Sequence, residues 1–420
     1  MPLSGASFAR QLGDETIFLR TGSKNLPVID VNGTFDRKYE LVAEDFRKLL
    51  QEQSQGLTLA VLHKGELVIN LWGGKADVVA GRNWTENTMS VAYSATKLIG
   101  ALAFATLASR KQVDYNDKVT KYWPEFGKHE KDVLTIDDIL NHKSGLIKFS
   151  RDFTLNEAKD ERFMSKLIEE SVPMWAPGER IGYHALTYGF LLDQLFQRIH
   201  PKKQTIQEFY EKEIRSKVPN GDFYLGVRKE EAHRIARITL DSLWQTMKNH
   251  WDHFAVTWPV FYAYFKNGGL ALVSGNSPSF LSVSRRDIIP YNDIDVLQFP
   301  STSALGVGTA AGFTRVVRQF WIGGVISEEI WRDLEKPAIF DEEDFVLGLR
   351  RWMKHGLFYR KIEKADRFTI NFPGNGGQYV DVDQKRDLII VLMRNGLRGG
   401  LGDPAFDGIR RKIIEIADED

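Results

Sequence analysis

Tyr93-Ser94-Ala95-Thr96-Lys97-Leu98-Ile99-Gly100-Ala101-Leu102-Ala103-Phe104-Ala105-Thr106-Leu107-Ala108-Ser109-Arg110-Lys111-Gln112 reads as a helix entered on a serine and a lysine. Ser94 and Lys97 stand three apart, so they share one face about a turn from each other. A helix start adds N–H groups without intrahelical acceptors and the positive end of the dipole. Those features suit a nucleophilic serine whose proton is drawn off by a nearby amine. None of the other serines of the chain has a lysine three positions on. Taken alone, the pair also fits a capping serine beside a solvated lysine.

Outward from this helix the pattern alternates between strands and helices. Upstream, Leu41, Val42, Phe46, Leu49 and Leu50 recur at helical spacing between Arg37 and Gln51. LTLAVLH (57–63) and ELVINLW (66–72) are β-rich runs around Lys64-Gly65, which predicts a hairpin. Downstream, TYGFLLDQLFQR (187–198) is apolar on one helical face. RFTINF (367–372), QYVDVD (378–383) and DLIIVLM (387–393) are three further strands, the last two joined by Gln384-Lys385-Arg386. After Pro404 a last helix places Phe406, Ile409, Ile413 and Ile414 on one face. Consecutive hairpins imply antiparallel pairing. The simplest packing joins the two early and three late strands in one sheet. The first and last helices then cover one face, and a helical middle lies on the other. The expected class is α/β (α+β). Residues 1–35 read as an N-terminal extension and 36–420 as one domain. Its sheet part is 36–92 and 300–420, and its helical part is 93–299 with an aromatic-rich insertion over about 200–299.

Composition narrows the function. The chain has 420 residues, 43% hydrophobic and 27% charged, which allows a sizeable core without staples. Lys plus Arg and Asp plus Glu both count 56, so the basic surplus of a nucleic-acid binder is missing and no nucleic-acid partner is expected. Cysteine is absent, which excludes disulfides, thiolate metal sites and a cysteine nucleophile. The longest apolar run, Phe254 to Phe265, falls short of the roughly 20 residues of a membrane span. With no long apolar stretch near its start, the chain reads as intracellular and cytoplasmic. His250 and His253 lack a third donor, so no metal is expected there.

The flanks of the serine helix carry a resemblance. Val113-Asp114-Tyr115-Asn116-Asp117-Lys118-Val119, Tyr122-Trp123-Pro124-Glu125, Leu140-Asn141-His142-Lys143-Ser144-Gly145-Leu146, Trp175-Ala176-Pro177-Gly178 and Tyr183-His184-Ala185 follow in that order. With Ser94-x-x-Lys97 they resemble the serine β-lactamase and penicillin-binding superfamily, and more closely its class C-related branch with the family VIII carboxylesterases. The resemblance runs from about residue 33 to the end and is poor over 200–300. It implies a β-lactamase/transpeptidase-like fold, an antiparallel sheet of five or more strands with terminal helices and an inserted helical domain. It also implies that Tyr183, paired with Lys97, takes the Ser94 proton and returns it to the leaving group. A phenol with an ordinary pKa of about 10 needs a cation nearby for that work. The same resemblance makes His142 structural and lets His184 line the site.

Two motifs depart from the family. Ala185 stands where β-lactamases have Asn, and Phe372-Pro373-Gly374 stands for the Lys/His-x-Gly strand motif. A lysine there would pair with a substrate carboxylate, and Phe372 cannot. This argues against β-lactam and peptidoglycan substrates and less against an ester. The Gly-rich strand end still admits a carbonyl to backbone N–H groups, with Ser94 and Asn375 as the candidate donors and Gly374 allowing the approach. The expectation is a serine hydrolase, esterase-like or acyl-transferring, that acts on a small ester or amide through Ser94, Lys97 and Tyr183. No metal or organic cofactor is needed, and a homo-oligomer is compatible with the sequence. Two other readings stand beside it: a pseudoenzyme that keeps the fold for binding or assembly, and a true β-lactamase or D-amino-acid peptidase. The aromatic segment 244–265 reads first as the core of a helical insertion, then as a lid or acyl pocket, then as a docking surface.

Overall fold

The computed structural model of the chain describes residues 30–52, 55–240, 251, 254, 258, 262, 266–362, 366–398 and 404–419. Its centre is one nine-stranded sheet. The strands are β1 (Val31–Phe35), β2 (Leu57–His63), β3 (Glu66–Gly73), β4 (Ile339–Glu343), β5 (Arg350–Lys354), β6 (Leu357–Lys361), β7 (Phe368–Gly374), β8 (Gln378–Asp383) and β9 (Leu388–Arg394). They lie in the order β1-β3-β2-β9-β8-β7-β6-β5-β4, and every pair is antiparallel. The early hairpin and the late strands meet at β2 and β9, where Ala60 faces Val391. Lys64 and Gly65 both take positive φ, 51° and 89°, as the tight hairpin turn that matches strand twist requires.

The centre of the sheet is buried on both faces, and the side chains of its strands sort by the period of two. Leu57, Leu59 and Val61 of β2 join Leu388, Ile390 and Leu392 of β9 in the smaller core. Two helices cover it, α1 (Glu40–Gln51) with Val42, Phe46, Leu49 and Leu50, and α5 (Pro404–Asp418) with Phe406, Ile409, Ile413 and Ile414. Ala60, Leu62, Ile389, Val391 and Met393 point the other way into the larger core. That core holds α2 (Lys97–Ser109), α3 (Thr187–Ile199) and α4 (Ala310–Ile322). Every residue of α2 from Lys97 to Leu107 is buried, as befits a helix apolar all round.

Several expectations need correction. Val31–Phe35 pairs with β3 and belongs to the sheet, not to a surface extension; residues 1–29 lie outside the described residues. Leu41, counted on the apolar face of the first helix, is 62% exposed. The nine strands fit the expected five or more, but α4 and a short helix Glu328–Asp333 interrupt the part expected to be sheet. Trp251, Phe254, Trp258 and Tyr262 occupy helical positions and are all exposed, from 48% at Trp258 to 84% at Trp251, so these four do not form an insertion core. Trp244, Phe261, Tyr264, Phe265, His250 and His253 lie outside the described residues. Among the described residues no helix is long and apolar enough to cross a membrane.

Candidate active site

Ser94 sits in a 3-10 turn, Tyr93–Thr96, that runs directly into α2. Tyr93, just before it, takes a φ of +47°. A bulky side chain pays strain there and persists only where the surroundings impose it. The turn is fastened on both sides. The Ala92 N–H donates to Gly306 O at 2.8 Å, and the Gly306 N–H donates to Thr96 Oγ1 at 3.0 Å. Ser94 itself stays partly exposed while its neighbours are buried.

Lys97 is the one charged side chain of α2 and is fully buried. Its Nζ lies 3.4 Å from Ser94 Oγ, 2.7 Å from Ala185 O and 2.8 Å from Ser303 O. The Tyr183 ring centroid is 4.9 Å away and that of Tyr188 5.9 Å. Burial holds the Lys97 amine well below the ordinary lysine range, and the positive charge of Arg351 adds to it. A neutral amine has two N–H groups and one lone pair. In that form, with both N–H groups given to the two carbonyls, the lone pair can turn to Ser94 Oγ at 3.4 Å. That is the arrangement a general base needs.

The segment Gly182–Ala185 belongs to no helix or strand, so side chains must satisfy its buried backbone. Asp344 Oδ1 accepts the Tyr183 N–H at 3.1 Å. His142 Nδ1 accepts the His184 N–H at 3.2 Å. Ser274 Oγ accepts the Ala185 N–H at 2.8 Å and donates to Tyr183 O at 2.7 Å. His142 is therefore a neutral acceptor, and burial, with neighbouring charge, keeps it well below the usual histidine range. Its ring stacks on Tyr188 at 4.2 Å.

His184 does not reach a cleft. Its Nδ1 is 2.6 Å from Gly182 O and its Nε2 2.7 Å from Ser144 Oγ. With both nitrogens engaged, and burial pushing its pKa down to about 3, the ring locks the segment instead of touching a substrate. Phe372 is likewise a core residue, 1% exposed and stacked on Phe358 at 4.9 Å. Phe358 in turn lies 6.1 Å from the Tyr183 ring.

Gly374 ends β7 against the serine turn. A Cβ on it would come within 2.5 Å of Ala92 O, so only glycine permits the close approach. The following turn carries Asn375, partly exposed. Ser94, Lys97, Tyr183 and the Gly374-Asn375 strand end thus converge on one junction between sheet and helices. Ser274, Ser303, Asp344 and Arg351 complete it and were not found from the sequence. Each lies far along the chain from the serine helix or the Tyr183 segment that it serves, and no spacing rule connects them.

This geometry has relatives. The family named Beta-lactamase matches residues 42–411. Esterase/beta-lactamase LipL of Mycobacterium tuberculosis is 30% identical over 356 residues, 82% of this chain and 75% of that one. Esterase EstB of Burkholderia gladioli is 34% identical over 102 residues, 23% of this chain and 26% of that one. Among solved structures, a family VIII carboxylesterase superposes with a TM-score of 0.75 at 22% identity, covering 93% of this chain and 99% of that one. EstA from Arthrobacter nitroguajacolicus Rue61a gives 0.72 at 24% identity, covering 92% and 98%. At these identities the solved structures speak for the fold alone. The match across most of its length shows that the chain belongs to the beta-lactamase family, as an esterase-like serine hydrolase.

Proposed function

We propose that the chain hydrolyses small, uncharged esters through an acyl-enzyme on Ser94. Ser94 Oγ attacks the ester carbonyl while its proton passes to Lys97, with Tyr183 relaying it to the departing alkoxide. The Cβ–Oγ bond of the serine stays intact; a new Oγ–acyl bond forms and the acyl–alkoxide bond breaks. Water then attacks the acyl-enzyme, and the same amine takes the proton from it. The Ser94 and Asn375 N–H groups receive the oxyanion. The observation that carries this reading is the buried, depressed Lys97 amine, whose two N–H groups meet backbone carbonyls and whose remaining direction is toward Ser94. The printed names of the relatives, an esterase/beta-lactamase and an esterase, favour an ester. Phe372, where a lysine would meet a substrate carboxylate, favours an uncharged acyl group.

The test is intact-protein mass after a fluorophosphonate, together with turnover of p-nitrophenyl acetate. A single adduct on the wild type that is absent from Ser94→Ala is expected, with turnover down on the order of a thousandfold or more. Labelling of folded Ser94→Ala, or a folded wild type that takes no label, overturns the reading.

A further inference from the structure

We propose that Arg351 is a positioning residue for the Ser94 reaction: anchored by Asp344, its guanidinium steadies the Tyr183 ring and supplies the fixed positive charge that the third motif lacks at Phe372. The inference rests on the Ser94–Lys97–Tyr183 reading above.

The anchor is a built one. The Asp344 side chain is 1% exposed and that of Arg351 12%. Asp344 Oδ1 accepts the N–H groups of Tyr183, Val346 and Leu347 at 3.1, 3.0 and 3.0 Å. Arg351 Nε donates to the other oxygen, Oδ2, at 2.8 Å. One carboxylate therefore holds the Tyr183 backbone with one oxygen and the guanidinium with the other. The Phe345 N–H donates to Ile181 O at 2.7 Å and ties the same loop to the same segment.

With its Nε spent on Asp344, Arg351 lays the rest of its fork over two rings. Its Cζ is 5.2 Å from the Tyr183 centroid and 4.6 Å from that of Phe358. A flat guanidinium can stack on such faces while its Nε stays on Asp344, which the point charge of a lysine cannot do. Phe358 is also the ring on which Phe372 stacks. The cation thus arrives from β5 beside the residue that fills its place in β7.

The field is felt at the base. Tyr183 and Tyr188 face Lys97 at ring distance, and His142 and His184 are close enough to feel its charge. Tyr93, part of the serine turn itself, and Tyr291 have ring centroids 4.4 Å apart, tilted by 47°. Both histidines are held neutral by burial, which leaves Arg351, balanced on its far side by Asp344, as the charge that bears on Lys97.

The experiment follows kcat/KM for p-nitrophenyl acetate against pH in Arg351→Gln and Arg351→Lys. The acidic limb reports loss of the Lys97 proton. Without the positive charge, Lys97 keeps its proton to higher pH, so Arg351→Gln is expected to move the limb upward by about one pH unit. Arg351→Lys keeps the charge and loses the flat fork, so its limb stays in place while kcat falls severalfold. A uniform loss with both limbs unmoved, or equal shifts in both variants, overturns the proposal. If only Arg351→Lys folds, a displaced limb in that variant overturns it. Failure of both to fold makes the pair a folding element and overturns it too. Fluorophosphonate labelling separates the two levels: a labelled wild type with an unmoved limb in Arg351→Gln rejects Arg351 alone, whereas active Ser94→Ala rejects the site.

Discussion

Burial decides what the ionisable residues around Ser94 can do. Lys97, His142 and His184 are all enclosed, and in each case desolvation disfavours the charged form first. For Lys97 this favours the neutral amine that the proposed reaction requires. For the histidines it makes an acid-sensitive joint. His184, pushed down to about 3 from 6.5, refuses a proton that the unfolded chain accepts. Between those two values the unfolded state binds more protons, so stability falls as pH falls, by up to about 1.4 kcal/mol per pH unit for this one group. Above 6.5 the effect is absent. Calorimetric Tm measured from pH 7 to pH 4 is expected to decline less steeply in His184→Gln than in the wild type, with His142 carrying the remainder; an identical slope would place the acid sensitivity elsewhere. That Ser94, Lys97 and Tyr183 meet was legible in the sequence because the candidates stand out by residue type and order. The environment that sets their charge was not, because Ser303 bonds Lys97, and the charge of Arg351 bears on it, from distant parts of the chain. The same gap misplaced His184, whose ring nitrogens are taken by Ser144 and Gly182.

The elements that build the site divide by how they obtain their hydrogen bonds. β2, β3, β7, β8 and β9 bond through the sheet, and their alternating or wholly apolar runs were readable. The loop Gly182–Ala185 has no ladder and depends on Asp344, His142 and Ser274. Ser274 is the sharpest case, since one hydroxyl serves Ala185 N–H and Tyr183 O together. Ser274→Ala leaves two buried backbone groups without that partner and is expected to cost about 1–3 kcal/mol in urea unfolding. Because Tyr183 moves while the substrate's approach past Gly374 does not, kcat should fall by more than KM rises. A loss of stability with kcat intact would show that Tyr183 is held without it. The strands β4 to β6 escaped the sequence reading for a different reason. Ile339-Phe340-Asp341-Glu342-Glu343 is charged and half exposed at the sheet edge, so burial imposes no alternation on it. Their one local signal is His355-Gly356, where positive φ values of 49° and 81° make a hairpin turn.

At the scale of the whole molecule, one sheet separates two cores, and only the larger borders the site. The order of early hairpin, helical middle, late strands and last helix was enough to foresee this, because each run carried its own period. What crosses the smaller core is polar and was not foreseen. Arg410 of α5, 3% exposed, donates through Nε to Asp381 Oδ2 of β8 at 2.5 Å and through its terminal nitrogen to Thr369 Oγ1 of β7 at 3.0 Å. Asn371 Nδ2 also donates to Asp381 Oδ2, at 3.0 Å. The last helix is therefore fastened to the middle of the sheet by a buried ion pair. Removing one partner strands the other charge, which costs about 3–5 kcal/mol. Arg410→Met should lose that much in chemical denaturation. Arg410→Met combined with Asp381→Asn should recover part of it, because no naked carboxylate remains, and the two changes should couple by more than about 1 kcal/mol. Additive losses would remove the pair as the link between helix and sheet. Since this face of the sheet turns away from Ser94, kcat per folded molecule should stay at the wild-type value in Arg410→Met, in Asp381→Asn and in the double variant. A fall in kcat would mean that strain introduced under α5 passes through β7 and β8 to Gly374 and the serine turn it touches.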